Sequence, residues 1–487
     1  MRELAERALN TAQVKGASYA DVRVVRRESQ AITVKNGKVE ALTSRESLGF
    51  GVRVIASGAW GFASSSRLEP AEIDRVAAMA VSIARASALV AGKPVELGPP
   101  AVSVGSYRTP VRIDPFKVSL EDKIGLLLRA SQAMQQVKGI SVAEAGLEIR
   151  RENKTFASTE GSFVEQEVVE TGCGLEATAV GQGEVQRRSY PSSVGRHMGT
   201  EGWEFVERYD LVSQAPRIAN EAAALLSAKQ CPSGVTAIIL DATQLALQLH
   251  ESCGHAVELD RVLGTEAAYA GTSFLTTDKL GGFRYGSELV NVTADATLPG
   301  GLGTFGYDDE GVPAQSIPIV RGGIFVGYLT SRETAATLGQ PLLGKGQRSG
   351  GAMRADGWNR IPLIRMTNVN LEPGTWRFED LIADTDDGIY METNRSWSID
   401  DKRLNFQFGT EIAWEIKKGK RGAMLKNATY TGITPQFWAS CDAICNRDGW
   451  NIWGTPNCGK GQPAQTAAVG HGTAPARFRG VQVGVMR

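Results

Sequence analysis

Apolar and polar residues alternate through AITVKNGKVEAL, and Asn36-Gly37 sits where the alternation reverses, which predicts a β-hairpin closed by a two-residue turn. LGFGVRVIASGAWGFASSS repeats the signature with a second turn at Ser57-Gly58. The spacing then lengthens to that of a helix in PAEIDRVAAMAVSIARASAL, with Pro70 near its start. Ser119, followed by Asp122 three residues on and by Leu126, Leu127 and Ala130 toward one side, predicts a capped helix after a looser stretch. From AGLEIRR to RRSYP the pattern predicts three or four antiparallel strands, one turn being Glu160-Gly161, and a helix over about 211–229 follows.

The character changes at Pro232-Ser233-Gly234. VTAIIL reads as a buried strand, the segment around His250 as a helix, and the remainder as short strands and glycine-rich loops with brief helices near 331–338 and 378–385. The fold class expected is α+β. A mixed α/β N-terminal domain would occupy 1–230, and a strand-dominated domain 231–487 would carry the His250 segment; 487 residues suit two domains.

Charge narrows the functional classes. Lys and Arg number 53, Asp and Glu 53, so nothing in the balance attracts nucleic acid or an anionic membrane. No apolar run has the length of a membrane span, and MRELAERALNTAQVKG reads as an amphipathic helix without the apolar core of a signal peptide. Six cysteines are too sparse for a disulfide scaffold, so a cytoplasmic location is expected, although Cys441 and Cys445 are close enough for a local bridge. The 55 glycines, scattered through β-branched sequence, predict many turns and close backbone approaches.

The chain has 4 histidines, His197, His250, His255 and His471, and two of them frame HExxxH in LQLHESCGHAVELD. This is one residue longer than the HExxH zinc motif. A regular α-helix turns about 100° per residue, so residues four apart share a face while residues five apart stand about 140° from one another. Both imidazoles reach one ion only if the helix widens into a π-type turn or ends early. An irregular helix between Glu251 and His255 is therefore expected, with Gly254 making the distortion cheap. A zinc-type ion would keep one position open for water, and Glu251 stands where a general base could take a proton from that metal-bound water. Glu258 and Asp260 are candidates for ligation or for holding an imidazole N–H. Without convergence, the histidines are ordinary core or surface residues.

The residues alone leave the third ligand open. Cys458, in the tight Pro-Asn-Cys-Gly turn of IWGTPNCGKGQPAQTA, reads equally as a ligand or reactive thiol and as a buried structural cysteine. His471, in VGHGTAP, competes for the same place. Lys460 would steady a thiolate or cap a turn, Cys253 reads as a small buried helix residue, and Cys441/Cys445 lack the second pair of a zinc knuckle.

HESCGHAVELD, GLGTFGYDDEGVPA, RMTN and TPNCGKGQP occur in that order, preceded by ITVKNGKVEAL and GFGVRVIASGAWGFAS. Together they resemble the TldD/PmbA family, the modulators of DNA gyrase, and within it the metal-bearing TldD-type branch. The resemblance implies a zinc-dependent peptidase acting on small or unfolded polypeptides, with His250, His255 and Cys458 as ligands and Glu251 as base. It also implies a two-chain assembly around a central cavity, either a homodimer or a heterodimer with a PmbA/TldE-like subunit lacking the motif. The gyrase in the family name implies no DNA contact.

The remaining motifs are read around that centre. FGYDDEGVPA is expected to order a loop beside the site. IPIVRGGIFVGYLT, turning at Gly322-Gly323, exposes backbone that could pair with an extended peptide. Tyr328 and Arg332 are candidates for the oxyanion, and Arg365 and Asn368 for a substrate carboxylate or backbone. The expected activity is peptide hydrolysis. Its alternatives are hydrolysis of another amide or ester, a metal-bearing but non-catalytic subunit, and a thiol protease working through Cys458.

Overall fold

A computed structural model describes residues 1–100, 102–181, 183–193, 196–338 and 348–484. The two hairpin turns form as their sequences dictate. Asn36 and Gly37 take φ values of 49° and 71°, and Ser57 and Gly58 take 52° and 75°, the left-handed pair that a tight hairpin turn requires. They join Tyr19–Lys35 to Lys38–Ala56, and Lys38–Ala56 to Ala59–Ser65. Ile140–Ser158, Phe163–Gly181 and Glu184–Tyr190 extend the antiparallel array into an eight-stranded sheet.

The great length of these strands has a packing cause. Ala20, Val22, Val24 and Ile32 share one face of Tyr19–Lys35 by strand alternation, yet they enter two different cores. Ala20 to Val24 pack under helices Arg2–Val14 and Pro70–Ala88, while Ile32 packs under Leu120–Gln135 and Leu211–Leu225. Two helix layers side by side need a sheet twice the usual strand length. Ser119 caps the third of these helices, accepting the Asp122 N–H at 3.0 Å. Strand Val104–Arg108, parallel to Phe163–Gly181, falls in the stretch read as loose. None of its five residues is buried, so it leaves no hydrophobic alternation to read.

The later part of the chain builds a ring of strands. Gly234–Leu240 runs parallel to Asp387–Ile399 and antiparallel to Ala476–Val483. The ring continues through Thr429–Ile433 and Asn405–Lys417 and returns to Asp387–Ile399. A four-stranded sheet, Val292–Asp295, Ser316–Arg321, Ile324–Phe325 and Val369–Leu371, packs into the same core. A separate hairpin, Asn451–Lys460 with Gln465–Thr473, completes the neighbourhood of the site. The expected α+β architecture is therefore present, helix-backed sheet first and strand-rich part after it.

The acidic turn of FGYDDEGVPA joins these parts. Asp308 accepts the backbone N–H groups of Glu310, Val312 and Met353 and so shapes the turn itself. Asp309 meets Lys154 at 2.7 Å and Arg23 at 3.6 Å, and Glu310 meets Arg53 at 3.4 Å, all on the first sheet. Burial pushes the Asp309 carboxyl up, but Lys154 and Arg23 outweigh it and hold the pKa down to about 2. Asp309→Asn leaves two buried cations short of a counter-charge and should cost about 3–5 kcal/mol in denaturant unfolding. Because the folded pKa is depressed, the carboxylate's contribution is present above the unfolded value of about 3.9 and lost as pH falls toward the folded one. The stability gap between wild type and Asp309→Asn should thus stay flat from neutral pH to about pH 5 and close in acid.

Candidate metal centre

Helix Ala242–Leu249 starts at Asp241, whose carboxylate accepts the Thr243 and Gln244 N–H groups at 2.9 Å each. It points its C-terminal end into the largest core, with Leu245, Leu249, Cys253 and Ala256 on the apolar side. His250–Gly254 then form one turn of π-helix, and His255–Val257 a 3₁₀ turn. The His255 N–H bonds to the His250 carbonyl, five residues back. Side-chain bonds hold the distortion: Ser252 Oγ donates to the Gln248 carbonyl at 2.5 Å, Trp438 Nε1 donates to Ser252 Oγ at 3.0 Å, and Tyr285 donates to the Ser252 carbonyl at 3.3 Å. Gly254 contributes differently from expectation. Its φ of −52° is ordinary helix, and its need for glycine is spatial: a Cβ there would run into Met366 Sδ.

The widened turn brings the imidazoles to a centroid separation of 4.8 Å, perpendicular to one another. One donor atom each of His250, His255 and Cys458 lie within 4.8 Å of one another, all buried. His255 Nε2 and Cys458 Sγ are 3.5 Å apart. Zinc bond lengths at a tetrahedral angle put neighbouring N and S donors roughly 3.6 Å apart, so the donor set fits that ion.

Hydrogen bonding assigns the tautomers. His471 Nδ1 lies 3.1 Å from the Val369 carbonyl and must donate to it, leaving His471 Nε2 as an acceptor. His250 Nδ1, 2.8 Å from that atom, must donate in turn, which leaves His250 Nε2 with its lone pair free for an ion. His255 Nδ1 donates to Glu258 Oε2 at 2.9 Å, with the same consequence for its own Nε2. Burial depresses the pKa of His250 and of His471, keeping both rings neutral as the relay requires. His471, read as a rival third ligand, instead meets His250 Nδ1 and orients that imidazole.

Cys458 enters from the hairpin Asn451–Lys460/Gln465–Thr473, where a bulge between Thr455 and Cys458 shifts the register. Burial pushes its thiol pKa up, and the positive charge around it brings the value below the ordinary one: that of His255 when the ring is protonated, before any ion takes the Nε2 lone pair, and that of Arg365 always. Arg365 donates to the Cys458 carbonyl and, at 3.2 Å, to that of Gln465, fastening both strands. Lys460 is engaged by other partners: its Nζ lies 2.6 Å from Asp260, 2.8 Å from the Ile364 carbonyl and 3.5 Å from Glu258. Asn368 accepts the Gly303 N–H at 2.8 Å and donates to Asp295 O and Thr304 Oγ1 at 2.7 and 2.8 Å. The RMTN segment is thus a strut, with Met366 against the π turn and Arg365 and Asn368 against the loops around it.

The expected substrate contacts of Tyr328 and Arg332 do not form part of this arrangement. Tyr328 donates to the Leu275 carbonyl at 2.7 Å from a buried position. Arg332 pairs with Glu160 of the first sheet at 2.7 Å and donates to the Gly98 carbonyl. Both brace the fold, as Arg365 and Asn368 do. The sequence reading missed Arg403, whose Nη1 bonds to Glu251 Oε2. Burial pushes Glu251 up, but the positive charge around it, from His250 and His255 whenever they are protonated and from Arg403 always, brings its pKa below the usual carboxylate value. All six cysteines are free and buried, Cys441 and Cys445 included. Cys253 is a core thiol whose pKa burial raises to about 12.

The description "PmbA/TldA metallopeptidase C-terminal domain" matches residues 233–484, "domain 1" matches 20–84, and "central domain" matches 113–230. A metalloprotease of Methanocaldococcus jannaschii is 32% identical over 446 residues, 89% of this chain and 93% of its own. A zinc metalloprotease TldD homolog of Saccharolobus solfataricus is 22% identical over 98% of each chain. The crystal structure of TldE from Thermococcus kodakarensis shares the fold, with a TM-score of 0.75, 16% identity and 99% of each chain covered.

The relay from Val369 through His471 has a measurable consequence. His471→Ala should weaken zinc affinity about 10–100-fold in chelator competition, with the near-ultraviolet circular dichroism unchanged. Unaltered affinity would reduce His471 to a core residue.

Proposed function

The chain belongs to the PmbA/TldD metallopeptidase family, and from that premise we propose that it hydrolyses peptide bonds in small or unfolded polypeptides at a zinc ion held by His250, His255 and Cys458. The observation that carries the proposal is the convergence of two Nε2 lone pairs and a buried thiol beside Glu251. Bound there, zinc would lower the pKa of a water and polarise the scissile carbonyl.

The chain's own residues do the rest. Glu251 is ionised, since its pKa is depressed, and accepts a proton from the attacking water; the same carboxyl then delivers that proton to the departing amine. His471 and Glu258 keep the two imidazoles in the tautomer that offers Nε2. A cavity of about 760 Å³ borders the hairpin that carries Cys458, touching Pro456 and Ala467, the latter paired across the hairpin with Cys458. Arg27, Glu152, Glu170 and Arg354 are among its walls, and charges of both signs suit an extended polar chain better than a folded surface.

The same proposal divides the chain near residue 231 and assigns the metallopeptidase role to 231–487. It includes assembly with a second copy or with a PmbA/TldE-like subunit. Strand Lys38–Ala56 supports this: its outer half pairs on one side only and leaves Val39, Leu42 and Leu48 exposed. Six free thiols support a cytoplasmic setting, and among the described residues no helix is long and apolar enough to cross a membrane.

Glu251→Gln tests the mechanism, because it removes the base and spares every ligand. Hydrolysis of an unstructured peptide should fall about 10²–10⁴-fold while bound zinc, measured by atomic absorption, stays unchanged. Chelator should abolish activity and zinc restore it. Activity that survives metal removal would instead favour Cys458 and His255, 3.5 Å apart, as a thiol–imidazole pair.

A further inference from the structure

Tyr328 and Arg332 are held elsewhere, so the centre has no assigned donor for the charge that develops on a scissile carbonyl. We propose that Arg403 is that donor: from the tip between Asp387–Ile399 and Asn405–Lys417, its guanidinium stabilises the tetrahedral oxyanion of the substrate. The inference rests on the peptidase reading above.

Position comes first. Arg403 touches Glu251, which directly follows the ligand candidate His250, so an oxygen on a carbonyl attacked beside Glu251 forms within the guanidinium's reach. Capacity is the second observation. A guanidinium offers five N–H donors. The bond to Glu251 engages Nη1 alone, and Nε is buried without an acceptor on a side chain only 14% exposed. Such a donor left unsatisfied in the ground state is best paired by an anion that exists only during turnover.

Construction of the tip is the third. Arg403 has a φ of 63°, a left-handed conformation that a residue with a Cβ rarely adopts. Asp400 accepts the N–H groups of Leu404 and Asn405, at 2.8 and 3.1 Å, and Thr434 Oγ1 donates to the Arg403 carbonyl at 2.8 Å. The carbonyls of Asp401 and Lys402 accept the N–H groups of Thr272 and Phe274 at 3.0 and 2.9 Å. A backbone fixed on both sides of an unfavourable residue holds its side chain ready before substrate arrives.

The step balances. Water oxygen forms a bond to the carbonyl carbon as its proton passes to Glu251, and the carbonyl π pair moves onto oxygen, where Arg403 donates. Collapse of that oxyanion restores the C=O bond and breaks C–N, and the amine leaves with the proton from Glu251. Arg403 stays protonated throughout.

The zinc-loaded, full-length protein supplies the test through Arg403→Ala and Arg403→Lys, assayed on an unstructured peptide and on its C-terminal amide. Binding of a phosphinic peptide, which carries a tetrahedral anionic centre, is measured alongside zinc content. In Arg403→Ala, kcat should fall about 10²–10³-fold for both peptides, with KM nearly constant. Phosphinate affinity should fall by a similar factor, zinc should remain bound, and Arg403→Lys should recover part of each loss. An unchanged phosphinate affinity would reduce Arg403 to positioning Glu251 and overturn the proposal. A loss confined to KM of the free acid would also overturn it, in favour of a contact to the substrate's terminal carboxylate. Wild-type protein that binds zinc yet leaves both peptides intact would instead overturn the peptidase reading and this one with it; active wild type with active Arg403→Ala overturns this one alone.

Discussion

The His255 N–H reaches back to the His250 carbonyl rather than to that of Glu251, and the chemistry of the centre follows from that one-residue shift. Had the ladder stayed regular, residues 250 and 255 would stand about 140° apart around the helix and could not face a common point. The π turn removes the angle, and its cost is met by neighbours specific to this turn: Ser252 bonded back to Gln248, with Trp438 and Tyr285 bonded to Ser252. Met366 packs so close to Gly254 that no side chain fits between them. Backbone path and strut are therefore matched as a pair, and neither can drift without separating the imidazoles.

Bringing donors together does not by itself make a ligand set, because each imidazole can present either nitrogen. The Val369 carbonyl settles the matter at a distance. It takes the His471 proton, His471 takes that of His250, and the lone pair of His250 Nε2 is left for an ion. Glu258 does the same for His255, and as a buried anion it needs compensation, which Lys460 gives at 3.5 Å. Lys460 belongs to the same hairpin as Cys458. The candidate ligand Cys458 and the balancing charge thus arrive on one element, and placing that hairpin places both.

How much of this was legible depends on how local each cause is. The Asn36-Gly37 and Ser57-Gly58 turns and the Ser119 cap are set by residues a few positions apart, and the spacing of His250 and His255 is enough to call for an irregular helix, so sequence arithmetic finds all of them. Glu258 was also within reach, three residues from His255. Cys458 lies 203 residues from His255, and nothing in its surroundings separates a ligand from a core thiol; only the resemblance pointed to it. His471 was taken for a rival ligand because a sequence shows that an imidazole exists and not which nitrogen meets a carbonyl. Arg403, in the charged run IDDKRLN, reads as a solvated turn, and its direction comes from a left-handed backbone and from contacts with residues more than a hundred positions away. For Tyr328 and Arg332 a suggestive motif is visible in the sequence, whereas their engagement by Leu275 and Glu160 is not.

On the proposed activity, burial becomes a selection rule. His250, His255, Glu251 and Cys458 are only 3–6% exposed, so a bond to be cut must come to them within an extended backbone stripped of its own structure. A folded domain cannot supply such a strand without partial unfolding, whereas a short or disordered chain carries no such penalty. The acidic turn adds a requirement, because Asp309 and Glu310 tie the first sheet to the part that bears the donors, and strands of that sheet form one wall of the charged cavity. The helix-backed sheet contributes no residue to the cluster of His250, His255 and Cys458. Its role in this scheme is to form the far wall of the space beside the Cys458 hairpin, and the buried ion pairs keep that wall in register with the chemistry.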